Sequence, residues 1–64
     1  MKERAIEDLI RRLKVISSIR KGLGIHAPVP VHRARIDMLV RAGRATPIGQ
    51  GWQVDDVKMV DADA

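Results

Sequence analysis

From Glu3 to about Lys21 the apolar residues Ile6, Leu9, Leu13 and Ile16, then Leu23, fall on an alternating three and four spacing, with Ile10 and Ile19 widening the stripe. That period predicts one long amphipathic helix. The stripe runs for about two and a half heptads and Arg20 breaks it at an a position, which excludes a long coiled coil. Glu3, Glu7 and Asp8 stand in the first turns and Arg11, Arg12, Lys14, Arg20 and Lys21 in the later ones, the order the helix dipole favours. Glu7 with Arg11, and Asp8 with Arg12, are i, i+4 pairs in the favourable direction. Gly22 and Gly24 supply the stop.

The pattern then changes. Residues 25–31, "IHAPVPV", read as a stiff extended connector, because Pro28 and Pro30 push the residues before them out of the helical region. Pro30 suits the first turn of a second helix, where its missing N–H is not needed. That helix is expected from about Val31 to Ala42. Val31, Ala34, Met38, Leu39 and Ala42 form its apolar face, broadened by Ile36 and Val40, and Gly43 closes it. On its polar side Asp37 stands one turn from both Arg33 and Arg41.

"RAGRATPIGQGWQV", residues 41–54, crowds helix-ending, turn-forming and strand-forming residues together. Ala45 to Ile48 and Trp52 to Val54 read as the two strands of a hairpin turning at Gly49, Gln50 and Gly51. Trp52 and Val54 share one face and are expected to pack inward. Pro47 confines its strand to an edge. A two-stranded hairpin needs something to pack against, and the helices are the available support. Residues 56–60, "DVKMV", are either a third short strand or an extended segment that pairs with another chain. Residues 61–64, "DADA", read as a frayed acidic tail on a single domain of residues 1–60.

A chain of 64 residues buries only just enough surface to fold alone, and without cysteine neither disulfides nor the usual zinc ligand sets can help it. Very good packing or a partner chain remains, and the long helix predicts a homodimer with Ile6, Leu9, Leu13 and Ile16 in its seam. Trp52 is the only aromatic residue, so the core must be aliphatic. No apolar run reaches the roughly 18 residues of a membrane span. The early acidic residues do not suit a signal peptide, so the expected location is cytoplasmic.

The net charge is +4, unevenly spread: seven basic and three acidic groups in residues 1–24, four and one in 25–44, one and four in 45–64. A basic body attracts polyanions, and an acidic tail either repels them or folds back onto the basic surface of its own or a neighbouring chain. Catalysis has little to work with. His26 and His32 lack a nearby Cys or carboxylate at ligand spacing, Ser17 and Ser18 lack a base and an oxyanion hole, and "GLG" and "GQG" lack the context of a phosphate loop. The expectation is a protein that is not an enzyme and uses no metal or cofactor.

The stretch "VHRARIDMLVRAGRATPIGQGWQV", residues 31–54, resembles the recognition helix and wing of a winged helix-turn-helix domain. It has basic residues early, a spine of Ala34, Met38 and Leu39, a glycine exit and a hairpin with Gly at its tip. The resemblance implies DNA binding by a small transcriptional or mobile-element regulator. His32, Arg33 and Arg35 would face bases or phosphates, Arg41 and Arg44 the backbone, and Gln50 would sit at the wing tip. The alternative is a dimeric inhibitor or adaptor that sets the same basic face against an acidic protein surface, with Trp52 either a core anchor or an interface hot spot. The expected fold is α+β, winged-helix-like and dimeric.

Overall fold

The computed structural model describes residues 3–63 and runs α1 (Glu3–Gly22), β1 (Val29–Val31), α2 (Arg33–Arg41), β2 (Ala45–Ile48), β3 (Gly51–Val54), β4 (Val57–Asp61). The strands form one mixed sheet in the order β1-β4-β3-β2. Both β2 with β3 and β3 with β4 pair antiparallel, whereas β1 lies parallel to β4 with Val29 beside Met59 and Val31 beside Asp61. The fold is α+β, with two helices and a hairpin as the sequence predicts and two further strands beside the hairpin.

Alternate strand residues Val29, Val31, Ala45, Val54, Val57 and Met59 meet Ile6, Ile10 and Leu13 of α1 and Ile36 and Leu39 of α2 in a single core. Both helices therefore cover the same face of the sheet. Leu9, Met38 and Trp52 pack at its margin, half-buried. On the other face Thr46, Gln53 and Lys58 stand side by side across three strands. Pro30 lies on β1 and Pro47 on β2, so a residue without an N–H interrupts each edge strand of the sheet.

The stretch read as a connector thus contains a strand. Prolines hold residues 28–30 extended, and Pro30 loses nothing at an edge. Val31 is buried in the sheet, and α2 begins two residues later than expected, at Arg33, with His32 in the N-cap position. Its core-facing residues are Ile36 and Leu39, both fully buried, while Ala34, Val40 and Ala42 are exposed. Gly43, at φ 73°, takes the left-handed turn that ends the helix.

Residues 57–61 resolve the alternative left open for "DVKMV": they form β4, which lies inside the sheet of the same chain. The tail is not frayed through Asp63. Asp61 ends β4, the Ala62 N–H donates to the Val31 carbonyl at 2.9 Å, and the Asp63 N–H donates to Asp61 Oδ1 at 2.8 Å. Ala64 lies outside the described residues.

The stripe of α1 divides in the middle. Ile6, Ile10 and Leu13 are buried in the chain's own core, Leu9 is half-buried, and Ile16, Ile19 and Leu23 are exposed. A straight helix drifts by about 20° per heptad against a seven-residue pattern, which carries Ile16 and Leu23 away from the sheet. The seam expected through Ile6 and Leu13 is therefore occupied from within, by β-strand side chains.

Candidate nucleic-acid interface

The register of the sheet sorts the six expected contact residues into two groups. The ends of β1, β4 and β2 and the start of β3 lie at one end of the sheet, since Val31 stands beside Asp61 and Ile48 beside Gly51. That end carries the start of α2, with His32 and Arg33, and the exposed turn holding Gln50. Arg44 lies at the opposite end, just before β2 begins. A helix of nine residues, about 13 Å long, separates Arg33 from Arg41. The structure thus brings His32, Arg33 and Gln50 to one end and sets Arg41 and Arg44 apart from them, with Arg35 exposed on the first turn of α2.

At the start of α2 the positive groups already hold carboxylates. Asp63 Oδ2 accepts the Arg33 backbone N–H at 3.2 Å, and Asp63 Oδ1 lies 2.9 Å from His32 Nδ1. His32 itself makes no side-chain cap, so Asp63 reaches back thirty residues to supply one. The imidazole and this backbone N–H together hold the Asp63 carboxyl below its ordinary value. The Arg33 guanidinium donates from Nε to Asp37 Oδ1 at 3.1 Å and lies 3.5 Å from Asp61 Oδ2. It also sits over the Trp52 ring, 4.8 Å from the centroid. Its pKa is raised, chiefly by the Asp37 hydrogen bond. Trp52 is therefore both a margin of the core and a platform for Arg33.

Arg44 is engaged differently, by the Glu7 carboxylate of α1, whose hydrogen bond raises its pKa. The expected Glu7 to Arg11 pair gives way to this longer-range contact, and Arg11 turns to Asp8 at 3.2 Å. Asp37 chooses Arg33 over Arg41. Among the described residues, Arg35 and Arg41 form no ion pair. Of the two courses open to the acidic tail, the structure shows it folded back on the basic surface of its own chain, where Asp61 and Asp63 join the ring of Trp52 at the start of α2. The sequence signal for the two carboxylates is the reversal of charge between the first and last thirds of the chain.

A second gathering of basic groups surrounds a cavity of about 240 Å³ between the end of α1 and the starts of β1 and β4, lined by Ser17, Arg20, Lys21, His26, Asp56 and Lys58 among others. Arg20 donates to the Pro28 carbonyl at 3.5 Å there, and its Nε is buried without a partner. The carbonyl end of α1 and Asp56 counter the cations at this place, so it lacks the anion-attracting character of a helix start. No group of His, Cys, Asp and Glu among the described residues is arranged to hold a metal ion. Among the described residues no helix is long and apolar enough to cross a membrane. Comparison with family models, curated proteins and solved structures gave no match.

Proposed function

We propose that this is a small non-enzymatic nucleic-acid-binding protein that takes hold of phosphates at the start of α2, as a transcriptional or mobile-element regulator would. One observation carries the reading: the Arg33 N–H, the His32 ring and the Arg33 guanidinium together seat the carboxylate oxygens of Asp63 and Asp61. Phosphodiester oxygens bring the same charge and acceptor chemistry to such a seat. Binding is an exchange, in which backbone phosphates replace the tail carboxylates. Arg35 and Arg41 then reach further phosphates along α2, and Gln50 approaches from the hairpin tip. Arg44 contributes through its hold on Glu7, which fixes α1 against the exit of α2.

The test is fluorescence anisotropy of a labelled random 30-base-pair duplex at low and moderate salt. Counterion release makes the affinity fall with salt, with a logarithmic slope of about −0.9 per phosphate contacted. Replacing Arg33 and Arg35 by Ala should weaken binding and flatten that slope while the circular dichroism spectrum is kept. Asp61→Asn with Asp63→Asn, which takes the net charge from +4 to about +6, should strengthen it. A parent protein that leaves the duplex free at low salt would end this reading. The exposed aliphatic residues of α1 favour the second one, a protein-binding adaptor or inhibitor.

A further inference from the structure

The one aromatic side chain of the protein, Trp52, lies beneath the Arg33 guanidinium, with Cζ 4.8 Å from the ring centroid. The sheet fixes that ring. Trp52 stands between Pro47 of β2 and Met59 of β4, Met59 is fully buried, and the indole packs at the margin of the core with a face left to Arg33. Arg33 is thus held at three points: its plane by Trp52, Nε by Asp37 at 3.1 Å, and Nη1 by Asp61 at 3.5 Å. The three contacts act differently. Asp61 takes the place a phosphate would take. Asp37, one turn further along α2, fixes Nε but offsets positive charge. Trp52 fixes the plane of the cation and leaves its charge whole. A long side chain that must be ordered on binding lowers the affinity, whereas one ordered beforehand by its own fold does not. When Asp61 gives way, Trp52 and Asp37 still hold the guanidinium, and the half-exposed side chain is open to an incoming anion.

We propose that Trp52 is the positioning residue of the phosphate seat: it holds the Arg33 guanidinium as a flat plate at the start of α2, so that a phosphodiester oxygen displacing Asp61 meets donors that are already ordered. The proposal rests on the reading of α2 as the nucleic-acid contact and adds to it the group that sets the strength of the grip. Trp52 needs no contact of its own with the nucleic acid, because its effect passes through Arg33. That separates it from both roles open to the ring on sequence grounds. A core anchor acts on stability, and an interface hot spot acts by its own contact, whereas a platform acts on the readiness of a neighbouring cation. Arg35 and Arg41 have no such platform, so the effect of Trp52 is confined to Arg33.

A double-variant cycle on the full chain tests it, with affinity for the random duplex read by anisotropy at one low salt concentration. Trp52→Leu should weaken binding about two- to ten-fold, the range for ordering one long side chain on binding, with an unchanged circular dichroism spectrum. In an Arg33→Ala background the same change should leave the affinity where Arg33→Ala alone puts it. Trp52→Phe, which keeps an aromatic face, should recover most of the loss. An equal loss in both backgrounds would show that Trp52 acts through the core, and no loss in the parent background would show that Arg33 needs no platform. Either result overturns the proposal. The contact itself is read without nucleic acid, because Trp52 is the only tryptophan. Arg33→Ala should change the tryptophan emission of the free protein, and an unchanged spectrum overturns the proposal even if Trp52→Leu does not fold. A parent that leaves the duplex free would end the reading of α2 and this one with it, whereas a bound parent with additive losses counts against Trp52 alone.

Discussion

Gly51 stands where β3 turns away from the hairpin tip, and a Cβ there would overlap the Met59 carbonyl oxygen of β4. Backbone cannot yield as the end of a side chain does, so Gly51→Ala should cost about 1–3 kcal/mol. Gly22, at the last position of α1, faces open space, and Gly22→Ala should change stability by no more than about 1 kcal/mol. Urea midpoints of the two variants, at constant slope, make the comparison; equal midpoints would show that β3 and β4 relax freely. Leu39 supplies the opposite kind of test. It is fully buried at the centre of the core, and Leu39→Ala should cost about 2–5 kcal/mol through lost burial and the cavity left behind. At this scale the sequence was informative about type and less so about direction. Gly51 was legible as a turn residue, but its close contact depends on β4, which local pattern could not place.

α1 shows where legibility stopped. Its existence, length and ends followed from period, charge order and Gly22, whereas its partition into two faces did not. A three and four spacing is satisfied equally by a seam and by one side of a core, and only the placement of β1 and β4 beneath Ile6, Ile10 and Leu13 decides between them. Leu13→Asp consequently reports on folding: the charge would be buried against the sheet, and the spectrum of the folded chain should be lost whatever the oligomeric state. Retained helical signal with a normal thermal transition would contradict the burial. β1 was hidden for a related reason. A three-residue strand containing proline carries no period of its own, and it exists because β4, thirty residues later, offers a parallel partner. The start of α2 moved with it, since Val31 cannot serve both the sheet and a helix. Of the site residues, Arg33 and His32 were legible as basic groups at a helix start, but their sharing of Asp63 was not, because it closes a loop of thirty residues.

Across the whole molecule the acidic last third folds back on the basic part: Asp55 binds Lys14 at 2.8 Å, Asp61 faces Arg33, and Asp63 faces His32 and the start of α2. Apart from the half-buried Asp61 these groups are solvent-exposed and each pair adds little alone, yet together they tie β4 and its flanking turns to both helices. They also give the fold a defined response to pH. The Lys14 hydrogen bond holds Asp55, and His32 holds Asp63, below the ordinary carboxyl value of 3.8. A depressed carboxyl stabilises in full above its unfolded value and ceases to do so as pH falls through the folded one. Lys14 has the opposite sign: the Asp55 hydrogen bond raises it above 10.5, so its contribution persists below that value and is lost as pH rises through the folded one. The Lys14–Asp55 pair therefore contributes a constant amount between about pH 5 and pH 10 and loses it on either side. Asp55→Asn with Asp63→Asn should be less stable than the parent at pH 7 and lose part of the parent's acid slope. Thermal midpoints of both proteins at pH 3 and pH 7 give the answer. An unchanged slope would assign the acid response to other carboxylates. A reduced slope would show that the charge reversal along the chain helps to hold the sheet to its helices.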